Sequence, residues 1–146
     1  MAKRIAQFGS ISEGTMRRED LIPCFISELR YLGHKSGTLT SIERAERRDG
    51  YYDSESSCYD LYDRLFNMLQ EHAPEFAYFG AHPGGGSDYG FWLSESFEEE
   101  FDGLKVADTA DIPAGYRGYV LHVNDHGNMT LYNKTSRKLT EIWGIV

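Results

Sequence analysis

Apolar residues recur at helical spacing in two stretches of the chain and at strand spacing in most of the remainder. Leu21, Phe25, Leu29 and Leu32 line one helical face, widened by Ile22 and Ile26. This pattern predicts a helix to about Leu32, capped by Thr15 or Asp20 and stopped by Gly33. With Asp20 as the cap, Pro23 falls in the first turn, where a missing N–H is harmless. Leu61, Leu65 and Leu69, with Tyr62, Phe66 and Met68 beside them, predict a second helix over 57–72. Ser57-Cys-Tyr-Asp60 fits a capping box at its start, and Pro74 ends it. Thr40-Ser-Ile-Glu43 fits the same box and predicts a short polar helix to Arg48. Residues 49–57 read as a polar, Ser-rich linker.

After Pro74 the period shortens. Runs over 76–81 and 89–93 are rich in aromatics and flank His82-Pro-Gly-Gly-Gly-Ser-Asp88, predicting two strands joined by a glycine loop. Residues 94–101 predict a short acidic helix. Strands are expected over 118–123, 128–132 and 138–146, with turns at Asn124-Asp-His-Gly127 and over 133–137. Residues 3–9 suggest a first strand, followed by a loop from Ser10 to Gly14. Helices first and mainly antiparallel strands later argue an α+β fold. The expectation is a single domain over 1–146, with a sheet of about five strands and two principal helices packed on one face.

Charge changes this picture from a fold to a surface. Residues 49–111 hold fifteen acidic residues and two basic ones, Arg64 and Lys105, a local charge of −13 within a chain whose net charge is −8. Such a field repels nucleic acid and attracts basic surfaces. Arg44, Arg47 and Arg48 interleave with Glu43, Glu46 and Asp49, so helical ion pairing explains them more simply than phosphate contact. No apolar run reaches the roughly 18–20 residues that cross a bilayer, and no secretory signal pattern opens the chain. Cys24 and Cys58 read as reduced thiols, and a cytoplasmic protein is expected.

Catalytic and metal chemistry find weaker patterns. The glycine loop lacks the spacing of a phosphate-binding loop and is followed by a strand, not by a helix N-terminus. His82, His122 and His126 with Asp88 and Asp125 offer metal-ligand chemistry, but no helical H-x-x-x-H or Cys/His finger spacing supports it. Turn formation accounts for 124–128 more simply, because turn-forming residues need no ligand role. No cofactor is expected.

Two stretches, Tyr78-Phe-Gly-Ala-His-Pro-Gly-Gly-Gly-Ser-Asp-Tyr-Gly-Phe-Trp92 and His122-Val-Asn-Asp-His-Gly-Asn-Met-Thr-Leu-Tyr132, resemble uncharacterised small proteins of bacteriophages and bacterial mobile elements. The resemblance covers about a third of the chain and implies an accessory protein acting in the bacterial cytoplasm. By analogy with anti-CRISPR and antirestriction proteins, it implies an inhibitor of a host protein with a basic, nucleic-acid-binding surface. On this reading Glu98, Glu99, Glu100 and Asp102 are the first candidates for partner binding. Tyr59, Asp60, Tyr62 and Asp63 come second. The alternatives are a small metal-dependent hydrolase built on the His/Asp set, or a homo-oligomer formed through an exposed strand edge or sheet face.

Overall fold

Leu21, Ile22, Phe25, Ile26 and Leu29 are buried along helix α1 (Arg18–Tyr31), and Leu32 at its C-cap continues the same face. The computed structural model describes residues 4–146. The expectation for Lys3 lies outside the described residues. The chain clusters into two units, one ending at Glu95 and the other running Ser96–Val146. Each is described by itself.

In the first unit, α1 begins between its two expected caps, Thr15 and Asp20. Arg17 is the N-cap and makes no side-chain capping bond. Thr15 Oγ1 instead accepts from the Arg17 N–H at 3.1 Å and donates to Asp20 Oδ2 at 2.6 Å. Pro23 therefore sits beyond the first turn, where it cannot supply the N–H that would normally close on the Glu19 carbonyl. Gly33 stops the helix as expected. At φ 74° it lets the His34 N–H reach back to the Leu29 carbonyl at 2.9 Å. Helix α2 (Gly37–Ala45) is capped by Ser36, whose hydroxyl accepts from the Thr38 N–H, so the expected box at Thr40 does not open it.

The expected linker over 49–57 is structured. Tyr51–Asp53 form a 3-10 turn with Tyr51 buried. Ser54, not Ser57, caps α3 (Glu55–Tyr59) by accepting from the Ser57 N–H. The helix then continues as a π-helical segment (Asp60–Leu65) and as α4 (Phe66–Gln70). Leu61, Leu65 and Leu69 are all fully buried. Leucines spaced strictly by four drift forward around a 3.6-residue turn. The wider i→i+5 turn of the π segment counters that drift and keeps them on the core.

Strands β1 (Gly9–Ser12), β2 (Tyr78–Ala81) and β3 (Tyr89–Trp92) form an antiparallel sheet in the order β1-β3-β2. The loop expected from Ser10 is thus mostly strand, and residues 4–8 are not. Gly90 explains how β1 reaches β3. A Cβ there would collide with the Gly9 carbonyl. Helix α1 packs against β1, and α4 packs against β2. Phe25 lies between them, with ring centroids 5.7 Å from Phe66, 5.2 Å from Phe79 and 6.0 Å from Tyr89. These distances suit tilted and edge-to-face aromatic packing.

The second unit opens with α5 (Phe97–Glu100), a single turn. Strands β4 (Leu104–Val106), β5 (Gly118–Val123), β6 (Met129–Lys134) and β7 (Leu139–Ile145) follow in sheet order β4-β5-β6-β7. The three late strands pair antiparallel as their turn signals predicted, whereas β4 adds in parallel beside β5. Val120, Leu121 and Leu131 are fully buried, and Phe97 packs on Trp143 at 5.9 Å. The α+β class therefore holds, but the single sheet of about five strands is replaced by sheets of three and four. The early strand, expected over 3–9, forms instead at Gly9–Ser12, the short β4 was missing from the sequence reading, and the two extend different sheets.

Candidate functional site

An open cleft of about 700 Å³ lies in the first unit, among the end of α2, the 51–53 turn, α3 and the π segment. Its lining includes Arg48, Tyr51, Glu55, Tyr59, Asp60 and Arg64. Local folding explains how these residues meet. Gly50, at φ 76°, turns the chain after α2 and sends Tyr51 inward. Ser54 restarts the helix at Glu55, which brings Asp60 back to Tyr51 one helical stretch later. Arg18 ties the turn to α1, donating to the Ser54 carbonyl at 2.9 Å and to the buried Ser57 hydroxyl at 3.0 Å.

Asp60 forms the floor of the cleft. It is only 8% exposed. Its Oδ2 accepts from the Tyr51 hydroxyl at 2.7 Å, while Oδ1 faces Arg64 Nη1 at 3.7 Å. Burial and the neighbouring Asp60 carboxylate push the Tyr51 hydroxyl well above its ordinary pKa, so it remains a donor at neutral pH. The adjacent Tyr52 is pushed up to about 12 by burial and by its hydrogen bond to Glu46. The Arg64 guanidinium lies over the Tyr59 ring at 5.1 Å. The floor thus holds a carboxylate, a locked phenol and an aromatic face that already carries a guanidinium.

The second-choice sequence candidates divide around this cleft. Tyr59 and Asp60 line it, while Tyr62 and Asp63 are exposed on the same π-helical segment. Tyr51 was missed because its surroundings read as linker. A tyrosine pair inside an otherwise polar run was the available signal. The first-choice candidates belong to the second unit. Glu98, Glu99 and Glu100 are exposed on the single turn of α5, and Asp102 is exposed just after it. Phe97 anchors that turn from below. Lys105 Nζ donates to the Glu98 backbone carbonyl at 2.9 Å and not to a carboxylate.

His82 and Asp88 fall in the first unit, and His122, Asp125 and His126 in the second. His82 Nδ1 accepts from the Gly84 N–H at 2.9 Å, and its ring meets Trp92 at 4.5 Å. Asp88 accepts from the Ser10 hydroxyl. His122 Nε2 lies 3.0 Å from the Ala107 carbonyl, which requires that this nitrogen carry the proton. Asn124 Oδ1 accepts from the N–H groups of His126 and Asn128, the turn chemistry expected of this sequence. Among the described residues, no group of three or more His, Cys, Asp or Glu side chains is placed to hold a metal ion. Cys24 and Cys58 are free thiols. Burial pushes the Cys24 thiol above its ordinary pKa, which disfavours the nucleophilic thiolate.

No known protein family, curated protein or solved structure matches this chain. Among the described residues, no helix is long and apolar enough to cross a membrane.

Proposed function

We propose that this chain is a binding protein that captures a partner with a basic surface, using the helix over 55–70 and the cleft beside it. One observation carries the reading. Tyr59 at the end of α3 and Tyr62 on the π-helical stretch are 52% and 43% exposed, beside leucines that are fully buried. Exposed tyrosines beside exposed Asp63 and Glu55 have the composition of an interface, with amphipathic contact area in a negative field. The partner suited to this surface is a protein that handles nucleic acid, whose groove is rich in Lys and Arg. Capture during bacteriophage infection, as an inhibitor, is the biological setting we propose.

The test is affinity capture from bacterial lysate with the intact chain and with Tyr62→Ala/Asp63→Lys. Capture of a basic protein that is released by salt and lost in the double variant supports the proposal. Capture unchanged by the double variant defeats it for this helix. A second reading has its own observation. β7 is a seven-residue edge strand with Leu139 and Ile142 exposed, which suits pairing with a second copy. A concentration-independent monomer mass in solution would remove that reading.

A further inference from the structure

We propose that the cleft beside Asp60 is a socket for one arginine side chain of the partner, in which Arg64 acts as a resident stand-in. The inference deepens the binding function proposed above and rests on it. The stand-in is incompletely held. Its guanidinium stacks on Tyr59, yet its closest approach to Asp60 Oδ1 is 3.7 Å, beyond the 2.7–2.9 Å of a good charge-assisted bond. Asp60 has already lost most of its water to burial, and Tyr51 satisfies only Oδ2. A guanidinium entering from solvent would gain a close bond to Oδ1 and the face of Tyr59 together.

The chemistry selects arginine over lysine. A planar fork stacks on an aromatic ring while it donates edge-on to a carboxylate, whereas an ammonium does one at the expense of the other. Asp49 and Glu55 on the rim favour entry of a cation, and Arg48 on the same rim limits the socket to one. Tyr51 occupies Oδ2, which leaves Oδ1 as the oxygen that the Arg64 guanidinium approaches. The cleft volume of about 700 Å³ lies within the range of small-ligand sites, ample for one side chain.

The test uses the full chain, labelled for NMR and titrated with three blocked tripeptides, glycine-X-glycine with X as arginine, lysine or citrulline. Support is a saturable shift of the Asp60 carboxyl and Tyr59 ring signals with the arginine peptide alone. Arg64→Ala, which removes an exposed side chain, should tighten that binding by about threefold or more by vacating the socket. Asp60→Asn should abolish it. Asparagine still accepts from Tyr51, and an unchanged melting temperature would verify its fold. The socket is overturned if arginine and lysine peptides act alike, if Arg64→Ala binds no tighter, or if Asp60→Asn binds as the parent does. Partner capture that survives Asp60→Asn but is lost in Tyr62→Ala/Asp63→Lys would overturn the socket while leaving the binding function standing.

Discussion

Nε2 of the fully buried His72 lies 2.9 Å from Nδ1 of His34, and Nδ1 of His72 lies 2.7 Å from the Arg4 carbonyl. A carbonyl only accepts, so His72 Nδ1 must carry a proton. In the neutral pair, His34 Nδ1–H then donates to His72 Nε2. The facing nitrogens of the neutral pair thus share a single hydrogen. The link fixes residues 4–6 to the end of α4, because the Ala6 N–H also bonds the His72 carbonyl at 2.8 Å. His34→Ala should cost about 1–3 kcal/mol, since it leaves a buried His72 nitrogen without its partner, and amide exchange at Ala6 should rise with the loss.

Glu28 carries a pH dependence of stability. Burial raises its carboxyl above the ordinary value, and the proximity of His72 offsets this only in part. The folded protein thus holds this proton more tightly than the unfolded chain. The resulting stabilisation is complete below the ordinary carboxylate pKa and is lost as pH rises through the raised value. Glu28→Gln should melt higher than the parent at neutral pH. The difference should shrink as pH falls through the range in which the parent carboxyl becomes protonated. Paired melting curves across that range check the sign.

Gly90 and Gly85 make a matched pair for the three-stranded sheet. A methyl group at Gly90 has no room against the Gly9 backbone, and backbone on a paired strand does not yield as a side-chain tip does. Gly90→Ala should cost about 1–3 kcal/mol or more by forcing β1 from β3. Gly85 lies in the glycine loop, where a Cβ meets nothing within 4 Å, and its φ is not in the left-handed region. Gly85→Ala should change stability little, and denaturant melts of the two variants separate the cases. The same contrast tests whether the glycine run is a connection, as its sequence suggested, with the demanding glycine lying in the strand beyond it.

What the sequence made legible was periodicity that repeats over several turns or residues. The face from Leu21 to Leu32, the leucines at 61, 65 and 69, and the late antiparallel strands each left such a pattern. What stayed hidden depends on partners distant in sequence. β1 is a strand because Gly90 lets it approach β3, and nothing within residues 9–12 records that. The helix starts slipped because Ser, Thr and Asp compete as caps, and Ser36 and Ser54 prevailed over the more box-like Thr40 and Ser57. For the site, Tyr59 and Asp60 were visible from charge and aromaticity. Tyr51 was not, because its burial follows from the turn at Gly50 and from Asp60 waiting beneath.

The two acidic patches make different predictions about binding. Glu98, Glu99 and Glu100 stand on one turn in the second unit, and among the described residues no ion pair engages them. Reversal of all three to Lys leaves buried Phe97 untouched, so the fold should be retained. If this patch contributes only to the long-range field, the triple variant should slow association and flatten its salt dependence while leaving dissociation unchanged. Asp63→Lys sits beside Tyr62 on the proposed contact surface and should also speed dissociation. Kinetic binding measurements on a captured partner at two salt concentrations distinguish these outcomes. Faster dissociation from the Glu98-to-Glu100 reversal would move the contact surface to the second unit, because only charges in direct contact hold a formed complex together.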